Sequence, residues 1–234
     1  MTDQTEARPG WRRYAAEALT IVVGILLALA ADAGRQYFAD RASEREILTA
    51  LRVEFAADVT ELETDQAHRT QKLASIDLLN RVRAGKDKSP PPDALAGAML
   101  DLLDWRFYTA SHPVLDDLVT TGRLDLIQSD ELRHMLMVFG QERSRIGVTE
   151  QYEREFVASY IAPYLATRLD LEALSSDSPA RVAAAVLPAN EVLADKSFGS
   201  LLYLSRDRTQ GSRNFGQTLL TAVSNVQRVL AKHD

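Results

Sequence analysis

Residues 18–31 carry no formal charge, and the apolar run 21–27 (IVVGILL) lies at their centre. A helix that crosses a bilayer needs about 20 mostly apolar residues, so the uncharged stretch alone is short. Tyr14 and Tyr37 extend it, because a helix between them would measure about 35 Å at about 1.5 Å per residue. We therefore predict a membrane-spanning helix over residues 14–37.

Aromatic and basic side chains flank the apolar stretch on both sides. Aromatic rings favour the two membrane–water interfaces, and basic side chains near a span reach the headgroups. The flanks predict two interfacial layers around a hydrocarbon core of about 30 Å. The expected membrane-interface anchors are Trp11, Arg12, Arg13, Tyr14, Tyr37 and Phe38.

A cleaved signal peptide is the alternative interpretation of the N-terminal segment. Arg12 and Arg13, the apolar run, and Ala28-Leu29-Ala30 before Ala31 have the order of a charged region, a hydrophobic region and a cleavage site with small residues. Glu17 at the start of the apolar run argues against cleavage. So does the amphipathic sequence that continues beyond Tyr37 without a break. We favour a retained anchor.

Basic residues favour one orientation of the span. Arg8, Arg12 and Arg13 precede it, whereas the arginines that follow it are interleaved with acidic residues. Because basic residues near a span tend to stay inside, we expect a cytoplasmic N-terminus. The predicted organisation is a cytoplasmic tail (1–13), a span in a bacterial inner membrane (14–37) and a periplasmic helical domain (38–234) with a linker at 85–92.

Charge and composition exclude some functional classes. The first 38 residues carry as many acidic as basic side chains, so the net charge of -6 belongs to the rest of the chain. An acidic domain is a poor electrostatic match for nucleic acid, and we predict no nucleic-acid partner. The chain has no cysteine, which excludes disulfides and thiolate chemistry.

The sequence beyond the span is helical in pattern almost throughout. Apolar residues recur at spacings of three and four between Leu48 and Ile76, with Gln66 and Arg69 as a polar interruption. No proline occurs between Pro9 and Pro90, so this helix can continue from the span without a break. The fold class expected is all-α, an N-terminal transmembrane helix followed by an elongated antiparallel helical bundle.

Turn signals and caps divide the remaining helices. We predict one from Asp93 to about Tyr108, a short one from Val114 to a left-handed cap at Gly122, and a long one capped by Ser129 that reaches about Leu169 with a bend at Pro163. A brief alanine-rich helix follows, and a last helix from about Asp195 towards Lys232. The inward face expected for the last helix is Leu201, Phe215, Leu219, Ala222, Val226 and Val229.

Small and polar residues form a stripe along the predicted span. Small residues let two helix backbones approach closely in a membrane, so the stripe predicts an interface with another membrane protein or a second copy of the chain. The alternative is a chance spacing, with Glu17 in the headgroup layer. The residues of this stripe are Glu17, Thr20, Gly24, Ala28 and Ala31.

Carboxylates and histidines offer one candidate metal centre. Asp65 with His68, and Glu131 with His134, each place both groups one helical turn apart, as di-iron bundles do. Such a site needs two more carboxylates, and the spacing singles out neither Glu153 nor Asp101. We expect ordinary exposed helix faces here, and we predict no metal, no cofactor and no catalytic residue.

Two other polar groups and one aromatic group also have simple structural interpretations. His112 with Asp116 and Asp117 is typical of a turn before a helix. Trp105, Phe107 and Tyr108 indicate packing. The third group is expected to be a solvated helix face with exposed ion pairs. It comprises Glu142, Arg143, Arg145, Glu150, Glu153, Arg154 and Glu155.

Two blocks of the sequence resemble a bacterial family of single-pass membrane proteins that is known only as a domain of unknown function. They are residues 17–32 (EALTIVVGILLALAAD) and 118–133 (LVTTGRLDLIQSDELR). The chain departs from the family pattern at 33–35, where Ala-Gly-Arg replaces an Asn-Trp-Asn-like segment. The resemblance implies a membrane-anchored helical domain, gives no activity, and adds weight to Glu17 and Gly24.

The sequence therefore favours a non-enzymatic, membrane-anchored interaction protein, such as a scaffold or an accessory subunit of a membrane complex. A helical domain that binds a small ligand and acts through a partner is the alternative. A metal-dependent enzyme would need the carboxylate–histidine pairs.

Overall fold

A computed structural model describes the backbone of residues 11–233, and the side chains in that range except those of 11–18, 20 and 233. Helix α1 runs without interruption over Trp11–Arg83. At about 1.5 Å per residue it is about 110 Å long. Two residues beyond its end lies Gly85, whose φ of 66° falls in the left-handed region that glycine adopts at low cost.

The described chain contains no β-strand, which confirms the all-α prediction. The helices after α1 are α2 (Pro92–Asp101), α3 (Pro113–Thr120), α4 (Asp130–Phe156), α5 (Ala162–Ala166), α6 (Leu171–Leu174), α7 (Pro179–Val186), α8 (Ala189–Ala194) and α9 (Lys196–Leu230). Two 3₁₀ turns, Leu124–Leu126 and Ala231–His233, and a π turn, Val157–Ile161, complete the set.

Three long helices, α1, α4 and α9, form an elongated bundle. Cross-helix contacts fix their directions, since Arg69 and Lys72 of α1 meet Glu150 and Glu153 of α4 in the same order. Helix α9 runs the opposite way. Its C-terminal Leu230 accepts a hydrogen bond from Arg52 of α1, while the chain at its N-terminal end contacts Arg83. The bundle is therefore antiparallel through α9, with α1 and α4 parallel.

Caps begin and end the helices close to where the sequence predicts. The Ser129 hydroxyl accepts the Leu132 N–H at the start of α4, and Asp195 accepts the Ser197 N–H at the start of α9. Gly122 has a φ of 70° beyond the end of α3. These two N-caps and the left-handed glycine confirm the predicted boundaries.

The second predicted helix ends early, and a π turn interrupts the fourth. The second stops at Asp101 instead of about Tyr108, and residues 104–112 form no helix. The fourth is helical from Asp130 to Ala166, close to the predicted end near Leu169, and its irregular stretch is the π turn Val157–Ile161 just before Pro163. Pro163 has no N–H to donate to the preceding turn, and the wider π turn occurs where that hydrogen bond is missing.

Within the described part of the chain, the apolar core consists of two clusters separated along the bundle. The first, near the exposed start of α1, contains Leu51, Phe55, Phe139 and Leu219, and we call it the proximal cluster. The distal cluster, with Leu79, Met99, Phe198 and Leu202, lies at the other end, where the short helices α5–α8 pack.

The predicted inward face of α9 is partly wrong. Leu202 is buried where the prediction placed Leu201, which is only half-buried, and Phe215 is 38% exposed. Leu219, Ala222, Val226 and Val229 are buried as expected.

Residues 102–128 return along α1 from the distal to the proximal end of the bundle. Carboxylates of α1 hold this return segment by its backbone. Glu61 accepts the Thr109 N–H at 2.6 Å and Glu54 accepts the Val114 N–H at 2.7 Å. Glu44 accepts the Gln128 N–H at 2.8 Å.

Candidate functional site

The first part of α1 is apolar and stands clear of the bundle. Its large apolar side chains are exposed on every side of the helix, namely Leu19, Ile21, Val22, Val23, Ile25, Leu26, Leu27 and Leu29. Within the described chain, α1 is the one helix long and apolar enough to cross a membrane by length and composition. Contiguous apolar surface of this kind marks contact with lipid or with another protein.

The predicted stripe lies within this exposed segment. Gly24, Ala28 and Ala31 are exposed, and a Cβ added at Gly24 would meet nothing within 4 Å. The face is therefore open to a close neighbour. Glu17 and Thr20 belong to the same helix, but their side chains lie outside the described residues.

The predicted interface anchors fall into two groups. Tyr37 and Phe38 are exposed, and their rings meet edge to face with centroids 5.8 Å apart. The side chains of Trp11, Arg12, Arg13 and Tyr14 lie outside the described residues. The cytoplasmic tail expected at 1–13 likewise falls almost wholly outside them.

A layer of charged side chains separates the proximal and distal clusters. Arg69 of α1, 4% exposed, pairs with Glu150 of α4, 1% exposed. Lys72 pairs with Glu153 at 3.0 Å. We call Asp65, Arg69, Lys72, Glu150 and Glu153 the charge layer, and all five are buried.

Helix α9 completes the hydrogen bonding of the charge layer. Thr209 and Ser212 donate to the two carboxylate oxygens of Glu153 at 3.0 and 2.8 Å. Glu150 also accepts the Tyr108 N–H at 3.0 Å. Buried ions cost several kcal/mol unless such partners are present, so the layer requires all three helices in register.

The charge layer contains three carboxyl groups and only two cationic side chains, Arg69 and Lys72. Burial raises the pKa of Glu150 to about 7, although the Tyr108 N–H and Arg69 favour its charged form. Burial also raises the pKa of Asp65. For Glu153, burial is outweighed by Lys72, Ser212 and Thr209, which hold its pKa below the ordinary value.

The expectation of a solvated face on α4 is therefore wrong for three residues. Glu142, Glu150 and Glu153 are buried. Together with Leu136, Phe139, Ile146 and Phe156 they follow the core spacing of three and four along α4. The sequence contained this spacing, but the charged side chains at three of the positions led to the prediction of an exposed face.

His112 belongs to a second buried polar group, inside the proximal cluster. It is fully buried between Phe55 and Phe139, and its Nε2 lies 2.8 Å from Asp58 Oδ2. Arg143 donates to Nδ1 at 3.2 Å, so Nε2 carries the proton that is donated to Asp58. Arg143 also pairs with Asp116. His112 therefore joins α1 to α4 and is not merely part of a turn.

The carboxylate–histidine pairs are not brought together. Asp65 is buried in the charge layer at the middle of the bundle, while Glu131 is exposed and paired with Lys232 at the proximal end. Among the described residues, no group of three or more histidine, aspartate or glutamate side chains is placed to hold a metal ion.

Comparisons of the chain with protein-family models, with curated proteins and with solved structures found no match. The candidate site therefore rests on the geometry of the described residues.

Proposed function

We propose that this chain is a membrane-anchored, non-enzymatic interaction protein, a scaffold or accessory subunit of a membrane complex. The observation that carries the proposal is the continuity of α1. One unbroken helix extends from the exposed apolar segment into the core of the bundle. A contact made in the membrane is thus rigidly connected to the extramembrane helices.

The exposed stripe supports an interface within the membrane. Apolar burial gives no driving force between helices in lipid, so association depends on close packing, and small residues permit it. Gly24, Ala28 and Ala31 provide such a face on α1, with open space around Gly24. The partner proposed is a helix of another membrane protein or of a second copy of the chain.

The proposal includes a location and an orientation. The span would cross a bacterial inner membrane, with a cytoplasmic N-terminus and a periplasmic bundle. The arginines before the span support this orientation, and the resemblance to single-pass membrane proteins supports the location.

Substitution of Gly24 tests the interface. Gly24→Leu places a branched side chain where two backbones would come together, and we expect a large loss of association in native membranes or lipid nanodiscs. Membrane insertion is expected to persist, because leucine is more favourable than glycine in hydrocarbon. A steric block at Gly24 would remove several close backbone contacts at once.

Leu26→Ala is the matched control. Leu26 lies about 200° around the helix from Gly24, on the opposite face, and its truncation should leave association unchanged. Copurification and single-molecule photobleaching would report partner content. Wild-type association in the Gly24→Leu variant would contradict an interface on the stripe.

A further inference from the structure

A groove lies where α1 enters the bundle. Tyr37, Phe38, Arg41, Glu44, Arg45 and Leu48 line a volume of about 390 Å³, which we call the base groove. Glu44 and Leu48 are buried against the bundle, whereas Tyr37 and Phe38 stand on the bare helix below it. The groove is therefore the corner between the emerging helix and the base of the bundle.

Arg41 is the cation placed towards the span. Its Nε donates to the Tyr37 hydroxyl at 3.2 Å, and its guanidinium carbon lies 5.3 Å from the centre of the Tyr37 ring. Because Tyr37 is one turn nearer the apolar segment, the Arg41 side chain points back along α1 towards it.

Arg45 adds a second positive charge. It is exposed at the upper side of the groove, and it meets no carboxylate among the described residues. Glu44 is the one acid in the lining, and it already accepts the Gln128 N–H and lies 3.5 Å from Arg41. The groove thus offers two guanidinium groups against one engaged carboxylate, which suits an anion.

The height of Arg41 suits the headgroup layer. If hydrocarbon begins near Tyr14, about 20 residues carry the helix to its other side, near Ala33. Arg41 is then about 12 Å further along α1. A headgroup layer of about 5–8 Å remains on each side of the hydrocarbon. A side chain that points back from Arg41 can reach it.

We propose that the base groove binds the phosphate of a membrane phospholipid. The Arg41 guanidinium would contact the phosphate oxygens, and Arg45, one turn further along α1, would add a second positive charge above them. Tyr37 and Phe38 would pack against the glycerol and the upper acyl chains. This inference rests on the proposed membrane anchoring. It adds that lipid held under the bundle fixes the height of the bundle above the bilayer.

The test is lipid retention by the full chain. The protein is reconstituted in nanodiscs of phosphatidylcholine with phosphatidylglycerol, released into mild detergent, and weighed by native mass spectrometry. The wild type should keep bound phospholipid. The double variant Arg41→Gln and Arg45→Gln should lose it, with affinity reduced by about fivefold per arginine.

Arg213→Gln is the matched control, since Arg213 is an exposed arginine on α9 far from the groove. It should retain lipid as the wild type does. An excess of inorganic phosphate should not displace the lipid, because the apolar contacts are made only by a lipid. Displacement by phosphate would overturn the lipid assignment.

Two further outcomes separate this inference from the proposed function. Unchanged lipid retention in the inserted double variant would overturn the base groove alone. Gly24→Leu should lose association while keeping the lipid. A wild-type chain that alkaline carbonate extracts from membranes would overturn both proposals.

Discussion

Arg69 lies between two buried carboxyl groups, Asp65 one turn earlier on α1 and Glu150 across the bundle on α4. Its Nη2 donates to Glu150. Within the described chain, its Nη1 and the Asp65 Oδ2 atom each make no hydrogen bond. One guanidinium cannot fully compensate two carboxylates in a site of low dielectric constant, so a proton is the remaining means of neutralisation.

This arrangement predicts that the free energy of unfolding falls as pH rises. The pKa of Glu150 is raised from its ordinary value of 4.5 to about 7 in the fold. The stabilisation that the protonated Glu150 side chain provides is therefore complete below pH 4.5 and is lost as the pH rises to about 7. In the wild type, we expect this effect to lower the free energy of unfolding by roughly 2–3 kcal/mol across that pH range, and Glu150→Gln should abolish it. Thermal unfolding of the full chain in detergent, followed by circular dichroism from pH 4.5 to 8, measures it.

Glu155→Gln controls for the loss of a carboxylate on the same helix, because Glu155 is exposed and bonded only to Gln151 among the described side chains. It should keep the wild-type pH profile. An unaltered profile in Glu150→Gln would show that Glu150 stays ionised throughout.

The elements show what the sequence could reveal. Local signals were sufficient for the caps at Ser129 and Gly122 and for the uninterrupted α1, since each depends on neighbours in the chain. The charge layer depends on partners 81 residues away, such as Glu150 for Arg69. Single-helix periodicity identifies a core position but not the ion that will pair with it. The stripe around Gly24 was predictable as a pattern, and its partner stays a prediction.

Continuity of α1 predicts a rigid connection between span and bundle. Spin labels at Ala30→Cys and Thr60→Cys, both exposed sites in a chain with no native cysteine, should give a narrow distance distribution near about 45 Å. Adding Ala39→Pro should broaden and shorten it, because proline removes a helical hydrogen bond and clashes with the preceding turn.

Ala39→Leu is the helix-compatible control and should preserve the narrow distribution. Pulsed electron paramagnetic resonance in nanodiscs provides the distances. An equally broad distribution in the unsubstituted label pair would contradict a continuous helix at this junction.

At the scale of the whole molecule, the described residues form two apolar clusters joined through a polar middle. Leu202 and Leu219 lie on the same helix, α9, and both are fully buried, one in the distal and one in the proximal cluster. Because the charge layer interrupts apolar contact between them, each end should open partly on its own.

Hydrogen exchange tests this division. Leu202→Ala should speed exchange mainly in α6–α8, and Leu219→Ala mainly in α3 and the first half of α4, with each substitution costing about 2–5 kcal/mol. Mass spectrometry of the full chain in detergent would map the change. Uniform acceleration along the chain in both variants would indicate a single cooperative unit.

The contacts between α1 carboxylates and the return segment have an evolutionary consequence. Glu44, Glu54 and Glu61 bind backbone N–H groups, which every residue except proline carries. The segment can therefore drift in sequence at Gln128 and Val114 without losing these three anchors, provided that no proline arises there. Selection on this part of the molecule would act on the acids of α1 more strongly than on the residues that they hold.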